Sequence, residues 1–156
     1  AGAGMLGTIE YNSSTLYRYA NVAVHELLGQ LDDKESVINT LKLYVEAFSN
    51  SMPTGKVNTF ANQTLPQLTL LNLRVDRPVN LVNAFEKPVK STDGYAYESI
   101  NRVFDADKEV EKFVKEPAAS YYLLLKNQDI DTNSEKAESL KDLLQRLASD
   151  LETLLD

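Results

Sequence analysis

Apolar positions recur along this chain with two periods, and the periods mark out its elements. Thr15 to Val24 (TLYRYANVAV) is rich in β-branched and aromatic residues and alternates like a strand. Tyr17, Tyr19 and Asn21 share one face; Leu16, Arg18, Ala20 and Val22 share the other. Val37, Leu41, Tyr44, Val45 and Phe48 then fall on one side of a helix. Asp32 with Glu35 gives that helix a capping-box start, and Pro53 and Gly55 end it. Leu68 to Val75 (LTLLNLRV) predicts the next strand, broken at Arg77-Pro78, and Asn80 to Val89 a mostly extended segment. After the Asp93-Gly94 turn, Ile100, Val103, Phe104, Val110, Phe113 and Val114 mark one side of a helix from about Tyr97 to Lys115, stopped by Pro117. Ser120 to Leu125 reads as a short buried strand. Thr132 with Glu135 forms a second capping-box pattern before a leucine stripe at Leu140, Leu143, Leu144, Leu147, Leu151, Leu154 and Leu155.

From Thr15 onward the order is strand-helix-strand-strand-helix-strand-helix, an α+β chain. Its first six elements follow the ferredoxin-like order that RNA-recognition modules share, although that order hosts many functions. The 156 residues fit one domain. The longest apolar run, Tyr121 to Leu125, is far short of the ~18 residues of a membrane span, so no membrane is expected. Absence of cysteine removes disulfides and thiolate chemistry, and it is compatible with a cytoplasmic protein.

The net charge of −7 argues against a nucleic-acid partner until it is divided along the chain. Residues 1–90 hold eight basic and eight acidic side chains; residues 91–156 hold eight basic and fifteen acidic. The acidic excess therefore sits in the last third, where charges mostly solvate helix faces.

Candidate chemistry is sparse. Gly2, Gly4 and Gly7 match the dinucleotide spacing, but Thr8-Ile9-Glu10-Tyr11 follows as a strand pattern where the motif needs a helix. His25 is the sole histidine, with no cysteine or second histidine to complete a metal set. Gly55-Lys56 looks like the end of a P-loop, but Asn50 and Val57 stand where a glycine and a Ser or Thr are required. What is left is a polar ledge from Pro53 to Val89. There Lys56 can clamp a phosphate as a point charge, and Asn58, Thr59, Asn62 and Gln63 supply donors suited to phosphates and sugars. Tyr17 and Tyr19 are either base-stacking residues or helix packing, with packing favoured; Arg18 between them is a candidate phosphate contact.

Three blocks together resemble the carboxy-terminal part of the CasC family, the repeated backbone subunit of the type I-E CRISPR complex Cascade. They are Gly4-Met-Leu-Gly-Thr-Ile-Glu-Tyr11 running into Leu16-Tyr-Arg-Tyr-Ala-Asn21, then Pro53-Thr-Gly-Lys-Val-Asn-Thr-Phe-Ala-Asn62, and Asn80-Leu-Val-Asn-Ala-Phe-Glu-Lys-Pro-Val89. The resemblance covers most of residues 2 to about 105. It implies an incomplete RRM/ferredoxin-like palm from a larger subunit whose amino-terminal half is not in this chain. Residues 1–14 would be the descending side of a thumb-like hairpin, 15–131 the palm portion, and 132–156 the C-terminal amphipathic helix.

The implied role is non-catalytic. Copies oligomerise along a guide RNA (crRNA) and hold its backbone so that the bases pair with target DNA. The implied partners are that RNA, target DNA through it, other copies of itself, other Cascade subunits and the missing N-terminal half. Lys56 is the leading RNA contact, followed by Asn58 and Thr59, with Arg18, Asn62 and Lys87 behind them. Met5, Leu6 and Thr8 would touch nucleotides from the thumb. No cofactor is implied. The competing readings are a protein-only assembly module and a metal-dependent RNA-cleaving relative.

Overall fold

The computed structural model describes Gly4 and residues 13–156. In chain order come α1 (Val24–Leu31), α2 (Lys34–Asn50), a single turn α3 (Val57–Phe60), β1 (Leu68–Leu73), a 3-10 turn at Val82–Phe85, α4 (Ala96–Val110), β2 (Ala119–Leu124), β3 (Glu135–Lys136) and α5 (Leu140–Leu154). The class is α+β, as the periodicity predicts.

Among the described residues one three-stranded sheet, in the order β1-β2-β3, organises the fold. β1 and β2 run antiparallel in unbroken register from Leu68↔Leu124 to Leu73↔Ala119, and β3 joins β2 in parallel. Strand side chains alternate between faces, so the two faces receive different helices. Leu68, Leu70, Tyr122 and Leu124 meet Ile100 and Phe104 of α4. The Phe104 and Tyr122 rings lie edge to face at 5.2 Å, a geometry that contributes about 0.5–1.5 kcal/mol beyond area burial. On the opposite face Leu71, Tyr121 and Leu123 pack on Leu143 and Leu144 of α5. A third cluster joins Val37, Ile38 and Leu41 of α2 to Leu147 and Leu151 of α5, and Val22, Val24, Leu71 and Leu73 pack against it. The leucine stripe of α5 is thus core at Leu143, Leu144, Leu147 and Leu151, whereas Leu154 is exposed.

Several expectations need correction. Thr15 to Val24 forms no strand: residues 13–23 are irregular, and Val24 opens α1. A strand pattern records fitness for a pleated surface and becomes a strand only beside a pairing backbone; no described strand pairs with this segment. Asn80 to Val89 is not extended throughout, because Val82–Phe85 closes a 3-10 turn in which Asn80 Oδ1 accepts from Val82 N–H at 3.0 Å. Both capping boxes are displaced. Asp32 is spent as the left-handed C-cap of α1, and Asp33 caps α2 by accepting from Ser36 N–H at 2.8 Å. Thr132 turns back on Ser134, Glu135 enters β3, and Ser139 caps α5 through Asp142 N–H. Finally α4 stops at Val110, and Phe113 stands in the following turn, 91% exposed.

The two sheet edges differ. β3 is two residues long, both charged and both engaged: Glu135 pairs with Arg146 at 2.7 Å and Lys136 donates to Asn127 at 2.8 Å. At the other edge, β1 carries no charged residue and no proline.

Candidate nucleic-acid interface

The Pro53–Gly55 loop follows the end of α2, and the chain turns there through Lys56. Lys56 adopts φ 61°, ψ 13°, a left-handed conformation that non-glycine residues seldom take. The turn places its carbonyl to accept from Thr59 N–H and Phe60 N–H, both at 3.0 Å, which forms α3. Ala61 closes that turn in a second left-handed conformation, φ 47°. The Lys56 side chain projects into solvent and makes no ion pair among the described residues. Asn58 and Thr59 on α3 are also exposed. Asn62 is half-buried, and its Oδ1 is shielded from solvent with no hydrogen-bond donor.

The other expected contacts are each held by different partners. Arg18 donates from Nη1 to the Ser51 carbonyl at 2.9 Å, and its guanidinium lies 4.4 Å from the Phe48 ring centroid. It therefore fastens residues 13–23 to the end of α2. Tyr17 donates to Asn80 Oδ1 and accepts from Leu81 N–H, both at 3.1 Å, with its ring 5.6 Å from Phe85. Burial raises the Tyr17 phenol above its ordinary value, partly offset by the Leu81 hydrogen bond. Tyr19 is 40% exposed. Lys87 presents its ammonium to solvent, and its carbonyl accepts from Arg102 Nη1 at 2.6 Å. Arg102 is in turn held by Glu98 one helical turn earlier on α4, at 2.9 Å.

Tyr17 to Asn80 thus stitches the first sequence block to the third, and Arg18 ties the first to Ser51, just ahead of the second. Sequence reasoning missed Phe48 as the seat of Arg18 and Asn80 as the acceptor for Tyr17. No local signal marks either pairing, since the partners lie 30 and 63 residues apart. Met5, Leu6 and Thr8 lie outside the described residues.

Two further charged arrangements frame the sheet. Arg74 grips Asp76 through two hydrogen bonds at 3.1 and 3.2 Å and also donates to the Lys115 carbonyl. Hydrogen bonds from Arg74 foremost, with those from the Arg77 and Lys115 backbones, hold the Asp76 carboxyl down at about 2. Under β1, Asp107 of α4 is buried and accepts from Asn72 Nδ2 at 3.0 Å; Asn72 Oδ1 accepts in turn from Ser120. Desolvation pushes the Asp107 carboxyl above its usual range despite that hydrogen bond. Among the described residues no group of three or more His, Cys, Asp or Glu is placed to hold a metal ion. No described helix is long and apolar enough to cross a membrane.

Comparison with solved structures places this fold. One chain, described as a CRISPR RNA-guided surveillance complex, aligns with a TM-score of 0.77 and 24% identity over 83% of this chain. A second, described as such a complex in a pre-nicking state, aligns with a TM-score of 0.76 and 22% identity over the same share. The chain spans 50% and 36% of the lengths of those two chains. No curated protein sequence matches significantly. The family model for CT1975-like protein matches residues 1–149. A match over nearly the whole chain shows the family, and the chain belongs to the CT1975-like family of Cas proteins.

Proposed function

We propose that this chain is part of a non-catalytic Cascade-type backbone subunit of the CasC, type I-E kind, which oligomerises along guide RNA and holds the RNA backbone while the bases pair with target DNA. The family and the likeness to chains of RNA-guided surveillance complexes support the setting. The observation that carries the site is the backbone at Lys56. A left-handed conformation costs a non-glycine residue roughly 1–2 kcal/mol, and glycine would remove that cost. Lysine instead occupies the position, exposed and with no ion pair among the described residues. Such an outlier points to use of the side chain. In this reading Lys56 meets a phosphate, Asn58 and Thr59 bond the adjoining backbone, and Lys87, Asn62 and Arg18 contribute at the periphery.

The test is binding of single-stranded RNA by Lys56→Ala and Lys56→Gly across a salt series. Loss of one phosphate contact should weaken binding and reduce the slope of log affinity against log salt by about 0.7. Unchanged affinity and slope in both variants would remove Lys56 from the site. The same material should leave RNA intact; metal-dependent cleavage abolished by a carboxylate substitution would overturn the non-catalytic assignment.

A further inference from the structure

Lys87 closes a segment that side chains remote in sequence fasten at both ends. Val82–Phe85 is a single 3-10 turn, an element of poor hydrogen-bond geometry. Ala84 N–H donates to the Leu81 carbonyl at 3.0 Å, and Glu86 N–H to the Asn83 carbonyl at 3.2 Å. The first N–H groups of such a turn find no partner within it. Here Tyr17 Oη accepts from Leu81 N–H, and Asn80 Oδ1 accepts from Val82 N–H. Tyr17 also donates its phenolic proton to that same Asn80 oxygen, so one hydroxyl orders both acceptors. Its ring lies 5.6 Å from Phe85, inside the turn it caps. Leu81 is buried and roots the turn in the core.

The far end is held as well. The Lys87 carbonyl accepts from Arg102 Nη1 at 2.6 Å, and Glu98 holds Arg102 Nε at 2.9 Å. Pro88 follows, and a residue before proline is biased away from helical backbone. The Lys87 side chain, by contrast, is exposed and has no ion pair among the described residues. A lysine stem is flexible, so the place of its ammonium depends on how firmly the backbone beneath it is fixed.

We infer that Tyr17 and Arg102 are positioning residues that set where Lys87 meets RNA. This rests on the RNA-holding function proposed above. Tyr17 acts through Asn80 and Leu81, and its hydroxyl, engaged as both donor and acceptor, serves the protein and not a base. Arg102 acts through the Lys87 carbonyl, with its guanidinium committed to that oxygen and to Glu98. Residues 13–23 thereby govern a cation far along the chain.

Double-mutant cycles in single-stranded RNA binding by the intact protein test this. Lys87→Ala should weaken binding and lower the slope of log affinity against log salt by about 0.7. Tyr17→Phe keeps the ring on Phe85 and removes only the hydroxyl; Arg102→Ala releases the carbonyl from the other end. Each should weaken binding, and in either background Lys87→Ala should cost roughly threefold less than it does alone, or less still. Lys56→Ala should cost the same in every background. Thermal unfolding of each variant confirms that it is folded. A merely structural role would lower stability and leave the cost of Lys87→Ala unchanged. Such additivity with either Tyr17→Phe or Arg102→Ala would overturn the inference. If Lys87→Ala has no effect while Lys56→Ala weakens binding, this inference alone fails. If both are without effect, the proposed function fails with it.

Discussion

At the scale of single residues, Lys56 separates what a side chain does from what its backbone costs. Lys56→Gly should leave thermal stability unchanged or raise it by up to about 1 kcal/mol, because glycine takes the left-handed conformation freely. Lys56→Ala keeps the strain. Both should lose RNA affinity, and thermal unfolding beside the salt series reads the two effects apart. Two aspartates give opposite pH signatures. Asp76 is held at about 2, below the 3.8 of an ordinary aspartate. Its contribution is present above the ordinary value and is lost as pH falls toward 2. Asp107 is raised, so its contribution is complete below the ordinary value and is lost as pH rises through its folded pKa. Asp76→Asn should flatten the acid limb of the stability profile. Asp107→Asn should flatten the limb above it and cost little at neutral pH, since the amide oxygen still accepts from Asn72. Denaturation midpoints across pH distinguish the two. Lys56 was legible in the sequence as a lysine in a glycine-containing loop, but its φ was not, because no residue type announces a left-handed lysine. Asp107 was invisible: its burial is decided by Asn72, 35 residues away, and by a sheet that had to be assembled first.

Among elements, those whose periodicity is satisfied by local neighbours were the readable ones. α2, β1, α4, β2 and α5 lie close to where the apolar periods predict them. Their boundaries were less legible, since helix signals compete for adjacent residues. Two aspartates precede α2, and the first is consumed by the end of α1. Asp33→Ala should therefore cost about 1 kcal/mol as a lost N-cap. Asp32→Gly should be neutral or stabilising, as it removes a left-handed non-glycine residue. Chemical denaturation checks the pair, and equal losses would return the cap to Asp32. The Thr15–Val24 segment was misread for another reason. Its residues suit a sheet, but strand formation is a property of two backbones, and one chain segment carries only its own half.

For the whole molecule, the charge distribution and the surface point the same way. The acidic excess lies in residues 91–156, leaving residues 1–90, which hold the ledge around Lys56, without net charge and open to an anion. The exposed area of 11291 Å², against about 7,800 Å² for a compact monomer of 17.4 kDa, predicts a loosely closed particle. Small-angle scattering of the chain should give a radius of gyration above the roughly 15 Å of a compact domain of this length; a value at or below that would contradict the open surface. The interface blocks were legible by resemblance across the chain, whereas their stitching through Tyr17 and Arg18 depended on folding.

The short, charged β3 has a consequence of its own. A sheet able to accept a strand at both edges behaves like a bifunctional monomer and can polymerise without end. With Glu135 and Lys136 committed to Arg146 and Asn127, this sheet has a single reactive end. Among the described strands it is monofunctional: growth by edge pairing has one side on which to proceed. Repetition of this chain through its sheet would need two open edges, and the described strands offer one.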